Sequence, residues 1–157
     1  MPSSERIVLI AAVGVVALFV VYAAYTLSTV PGTVTTPVPS SFTVNGRSYT
    51  FTYIATTEAE REAGLMNKQV TNTTTMLFAF PYFGTWTFYM KDTNTSLDII
   101  WINATGNTGR VVSLAAGTQP YSTADIVPTG QANYVIETRA GFAAANGITV
   151  GTTIGFA

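Results

Sequence analysis

Two carboxylates stand in apolar surroundings. Asp98 lies between Leu97 and Ile99, and Glu137 closes the hydrophobic part of NYVIETR. A carboxylate so placed must be paired, hydrogen-bonded or protonated. Each is either a ligand-facing acid, with Arg61 or Arg139 near Asp98, or a buried ion pair or backbone clamp that fixes a loop. Aromatic residues crowd the stretch 78–89: Phe78, Phe80, Tyr82, Phe83, Trp86, Phe88 and Tyr89. Exposed rings could stack on sugars or hold an extended peptide. Phe78/Phe80 and Trp86/Phe88 recur at strand spacing, as core-facing residues do. Tyr82, Phe83 and Tyr89 are therefore the expected exposed rings, and Met66, Met76 and Met90 could line a soft pocket with them or fill core gaps.

Other chemistry is thin. The chain has no Cys and no His, which removes disulfides, thiol nucleophiles, imidazole or thiolate zinc sites and every His-based triad. Lys68 and Lys91 sit in no recognisable catalytic motif, and GNTGR lacks both the spacing and the lysine of a phosphate loop. In DTNTSLD the oxygens of Asp92, Asn94, Ser96 and Asp98 alternate as at the start of a calcium loop. Leu97 stands where that loop needs glycine and Asn103 where it needs glutamate, so an ordinary polar turn is the expectation. No catalytic residue, metal or cofactor is implied. Asn72, Asn94 and Asn103 each open a glycosylation sequon, with Asn72 in the most polar loop.

These residues need elements to position them. The chain of 157 residues is 48% hydrophobic and only 10% charged, well below the roughly 25% charged of an ordinary soluble domain. Its length suits one domain. Seven basic residues are scattered against eight acidic ones, so nucleic acid is not an expected partner. Residues 7–27 contain no charge and as a helix would span roughly 31 Å, one hydrocarbon core. A cleaved signal peptide is the rival reading. The run is long for one and has no clean A-x-A site after it, so an uncleaved anchor in the lipid bilayer is favoured. Arg6 precedes the span and no Lys or Arg follows before Arg47. That places the N-terminus in the cytoplasm and the remainder outside a single-pass cell-membrane anchor. No GxxxG motif predicts pairing through the span. Residues 28–41, with three prolines and many hydroxyls, read as a semi-rigid spacer or, alternatively, an edge strand.

From 42 to 157 the pattern is β. FTV, Asn45-Gly46 and RSYTFTYIA predict a hairpin with a two-residue primed turn. Thr57, Glu60 and Gly64 predict one short capped helix. Further strands are expected at 76–80, 86–91, 97–103, 110–116, 133–139 and 152–157. The expected architecture is a mostly β, small antiparallel barrel or sandwich with one short helix, behind a single transmembrane helix.

TTEAEREAGLMNK, MLFAF, FYMKDT, LDIIWIN, NYVIETRAG and GITVGTTI follow one another at compatible spacings. Over residues 56–157 the chain resembles the family called domain of unknown function 192. Its motifs run T-x-x-E-x-x-x-GLM, GMLF-x-F, FWMKNT, PLDIIFID, YVLE-x-x-AG and GI-x-x-GD. The resemblance implies a small, mostly β, barrel-like domain with one short helix, and it carries no established activity to transfer. The family motif also has an acid at Asp98. Here Tyr89 replaces a Trp, Asp92 an Asn, Ser96 a Pro, Thr75 a Gly, and Asn103 and Thr152 each replace an Asp. Two acidic positions are thus neutral.

Three functions compete. The first is a membrane-anchored, outward-facing β domain that binds an envelope protein or a glycan. The second is a structural subunit of a self-assembling surface filament, with the apolar helix in its core. The third, a catalyst using Asp98 or Glu137, lacks a visible acid–base partner, so a non-enzymatic role is favoured.

Overall fold

Asn45 and Gly46 both adopt positive φ, 48° and 79°, the combination a type I′ turn requires. In the computed structural model, which describes residues 38–157, this turn joins β1 (Ser41–Val44) to β2 (Arg47–Thr50). The second arm does not run on to Ala55 as one strand. It breaks at Phe51 and Thr52, where the backbone changes partners. The Phe51 N–H donates to the Ser40 carbonyl (3.0 Å), whereas the Thr52 N–H donates to the Thr75 carbonyl (2.8 Å). β3 (Tyr53–Ala55) then runs parallel to β4 (Thr75–Gly84).

β5 (Leu97–Thr105), β6 (Thr108–Ala115), β7 (Ala132–Arg139) and β8 (Thr153–Phe156) complete one sheet. Its order is β2-β1-β8-β6-β5-β7-β4-β3. The two edge strands, β2 and β3, are consecutive in the chain, so the sheet curls into a half-barrel. The expected mostly β architecture is present; the antiparallel barrel or sandwich takes the form of a single half-barrel sheet, and its β3–β4 pair is parallel. Parallel pairing needs a crossover, supplied here by residues 56–74.

That crossover contains α1 (Glu58–Ala63). The Thr57 hydroxyl accepts from the Glu60 N–H, and the Glu60 carboxylate accepts from the N–H groups of Thr57 (2.9 Å) and Thr56 (2.8 Å). Gly64 ends the helix at φ 45°. The Thr57 and Thr56 backbone bonds hold the Glu60 carboxyl down to about 2. This contribution is therefore present above the ordinary carboxylate range and is lost as pH falls toward 2. A second, single-turn helix, α2 (Phe142–Ala145), was not expected. It is four residues long and has no side-chain cap.

Residues 86–91 are not a strand. They pair by an isolated bridge between Phe88 and Ile126, a residue of the loop between β6 and β7, and meet the sheet through Trp86, whose indole donates to the Ala132 carbonyl. Phe88 and Met90 are buried, Trp86 is half-buried, and Thr87 and Tyr89 are exposed. An extended segment laid on an apolar face buries alternate residues just as a strand does, so the period of two survives without a ladder.

The sheet is covered on both faces. Leu77, Ile100, Ile102, Tyr134 and Ile136 face the concave interior with Phe42, Ile154 and Phe156. Met76, Phe78, Ile99, Trp101 and Val135 face outward, under Leu65, Phe88 and Met90. Burial on both faces accounts for the near-continuous apolar runs of β4, β5 and β7. Among the described residues no helix is long and apolar enough to cross a membrane. The expected anchor, residues 7–27, and the spacer up to residue 37 lie outside the described residues.

Replacing Thr57 with Ala removes half of the capping box. It is expected to lower stability by about 1 kcal/mol, measured as a lower urea midpoint at unchanged m-value.

Candidate functional site

β7 lies between β4 and β5, and its residues 132–138 are all buried. Cross-strand register fixes which way each side chain points. Glu137 is opposite Met76 on β4 and Ile99 on β5, so it shares their outward face. Asp98 is opposite Thr138 and faces the interior. The two acids, indistinguishable by local sequence, are on opposite sides of the sheet.

Asp98 is a backbone clamp. Its side chain is 1% exposed. One carboxylate oxygen accepts from the Gly117 N–H and the other from the Ala143 N–H, both at 2.9 Å. It thereby ties the loop after β6 and the start of α2 to β5. The expected arginine partner is absent. Arg61 belongs to the opposite face, and Arg139, opposite Leu97, donates to the Asn72 side chain instead. Ser96 also turns to backbone, donating to the Thr118 carbonyl. Asp98 and Ser96 are thus held by backbone groups, which removes half of the alternating oxygen set in DTNTSLD.

Glu137 is different. It is 4% exposed, and among the described residues its Oε2 atom has no hydrogen-bond partner. It lines a cavity of about 390 Å³ walled by Phe78, Phe80, Trp86, Phe88 and Tyr89, with Glu58, Arg61 and Glu62 contributed by α1. Burial pushes the Glu137 carboxyl up to about 8, because the charged form is denied water and given no compensating partner. A lone desolvated carboxyl in an apolar cavity is a common signature of a functional site.

The walls are well fixed. Phe80 and Trp86 stack with centroids 4.1 Å apart, and Phe88 meets both Phe78 and Trp101 edge-on. The Trp86 indole donates to the Ala132 carbonyl, and the Trp101 indole donates to the Trp86 carbonyl. Arg61 donates to the carbonyls of Thr56 and Ala79 and places its guanidinium 5.1 Å from the Phe80 ring centroid.

Of the residues singled out above as possible ligand contacts, the structure brings Glu137, Arg61, Tyr89 and Met66 together at this cavity. Tyr82, 53% exposed, lies outside it and tilts against Trp86. Phe83 is half-buried on the end of β4. Met90 is fully buried, its sulfur accepting from the Thr118 hydroxyl. Asn72, Asn94 and Asn103 are exposed. Sequence reading missed Glu58 and Glu62; Phe78, Phe80, Trp86 and Phe88, expected in the core, do pack there and wall the cavity as well. The spacing of Glu58, Arg61 and Glu62, at i, i+3 and i+4, was a usable signal for one shared helix face.

The family model DUF192, described as Uncharacterized ACR, matches residues 41–156. The chain belongs to DUF192. The match starts at Ser41, so the family domain takes in the β1–β2 hairpin as well as the motifs from residue 56 onward. A protein of unknown function from Novosphingobium aromaticivorans DSM 12444 has a solved structure similar to this DUF192 chain. The two are 30% identical with a TM-score of 0.65, over 76% of this chain and 84% of the other. A provisionally named transcription regulator from Sinorhizobium meliloti 1021 is also similar, at 27% identity and a TM-score of 0.64, over 74% and 90%. No curated protein matches.

Two outcomes follow for this DUF192 domain. Asp98→Asn can accept only one of the two N–H groups and is expected to cost roughly 2–3 kcal/mol, measured by denaturant unfolding. Glu137 holds its proton in the folded state up to about pH 8, whereas the unfolded carboxyl releases it near 4.5. Its contribution to stability is therefore full below 4.5 and is lost as pH rises through 8. Melting temperature is expected to fall across that window, and Glu137→Gln is expected to flatten the decline.

Proposed function

We propose that the β domain is a small-molecule-binding module, held at the outer face of a cell membrane by residues 7–27. The observation that carries the binding reading is Glu137, a buried carboxyl without a partner for Oε2 in an aromatic cavity. Protein folding gains nothing from leaving such a group unpaired, and a ligand that meets it regains the lost hydrogen bond. The cavity volume, about 390 Å³, falls within the range of small-molecule sites. One polar group among rings is the arrangement that orients a ligand, the rings supplying contact area.

The tether rests on the uncharged run 7–27 and the Pro/Thr-rich stretch behind it. The run is long enough for one hydrocarbon core, and its flanking charge favours a cytoplasmic N-terminus.

Both parts are testable. Detergent-solubilised full-length protein is expected to carry a small molecule detectable by native mass spectrometry. Glu137→Gln and Phe88→Ala are expected to reduce that occupancy about tenfold. Equal occupancy in all three proteins contradicts the site. Protease shaving of intact cells is expected to remove the β domain, and full protection contradicts the outside placement.

A further inference from the structure

Five aromatic side chains and one lone carboxyl face the same cavity. Aromatic faces are electron-rich and attract cations. One wall already does so, since the Arg61 guanidinium lies 5.1 Å from the Phe80 centroid. Arg61 itself is held by the Thr56 and Ala79 carbonyls. The other charged side chains lining the cavity, Glu58, Glu62 and Glu137, are all acidic.

We propose that the ligand is an organic ammonium ion, a substituted amine whose charge meets Glu137 and whose alkyl body packs against Trp86 and Phe88. This inference rests on the cavity being a ligand site. A neutral apolar molecule leaves the Glu137 oxygen unpaired. An anion faces three carboxyl groups. A bare divalent cation needs six or so oxygen ligands, and among the described residues no three acidic side chains are grouped closely enough to hold one.

Binding has a proton balance. The empty site holds a protonated Glu137 below about pH 8. An ammonium ion favours the carboxylate, so it displaces that proton to solvent. Glu58, Arg61 and Glu62 from α1 and Tyr89 from the segment after β4 are the titratable or charged groups facing Glu137 across the cavity. Affinity for the cation therefore rises as pH increases from 6 to 8.5.

The test uses full-length protein in maltoside micelles, with choline and its uncharged isostere 3,3-dimethylbutan-1-ol as probes. The Trp86 indole N–H resonance reports the cavity, and the backbone amides of the β1–β2 hairpin, which does not line it, serve as control. At pH 8.5 choline is expected to bind at least about tenfold more tightly than the alcohol. Its affinity is expected to drop about tenfold at pH 6, and binding near pH 7 is expected to release roughly half a proton per site. Glu137→Gln is expected to abolish the preference for choline over the alcohol. If that variant does not fold, the pH dependence and proton release of the unaltered protein decide. Alcohol binding as tight as choline at both pH values, with no proton released, overturns the ammonium inference and leaves the binding module standing. If neither probe moves the Trp86 resonance, the binding site falls, and the inference with it.

Discussion

Over residues 75–80, 97–102 and 132–138 the central strands β4, β5 and β7 have no solvent side. Their outward residues lie beneath α1 and the extended segment after β4, and their inward residues fill the half-barrel. In an ordinary antiparallel sheet a polar side chain can be turned to water, but here that escape is closed. Every polar group on these strands must find a partner within the protein or remain unpaired in a medium that penalises it. Asn133 meets the constraint by exchanging two hydrogen bonds with the Ala104 backbone. Asp98 meets it by gripping two backbone N–H groups. Among the described residues Glu137 Oε2 and the Thr138 hydroxyl do not meet it, and of the two only Glu137 lines the aromatic cavity.

The cavity exists because the cover over the outer face is not continuous. α1 approaches from the β3–β4 crossover and the aromatic segment comes from the end of β4, and a gap remains where they would meet, with Glu137 in the sheet beneath it. The gap is held open by fixed walls. Trp86 is tied to the Ala132 carbonyl, Arg61 to the Ala79 carbonyl, and the rings brace one another edge-on or stacked. A cavity with such walls keeps its shape without an occupant, so little ordering cost remains when a ligand enters.

Local signals were read correctly from the sequence, and relations between distant segments were not. Asn45-Gly46 and the Thr57–Glu60 box are self-contained, since the atoms that decide them lie within a few residues. The strands of LDIIWIN and NYVIETR were equally plain. Their facing was not, because a run that is apolar at every position carries no mark of inside and outside. Asp98 and Glu137 therefore looked alike, and only their opposing registers separate clamp from cavity. The parallel β3 and the lost strand at 86–91 share one cause. Pairing is decided by whichever backbone lies alongside, which no local window contains. Phe78 and Phe88 were assigned to the core on good grounds, since a ring can fill a core with one face and wall a cavity with the other.

The account depends on the electrostatic state of one side chain. A carbon-13 NMR titration of the Glu137 side-chain carboxyl in the ligand-free protein measures it directly. A midpoint near 8 is the predicted result. A midpoint near 4.5, that of a solvated glutamate, would contradict it, since the carboxyl would then have water or a partner and no vacancy for a ligand to fill.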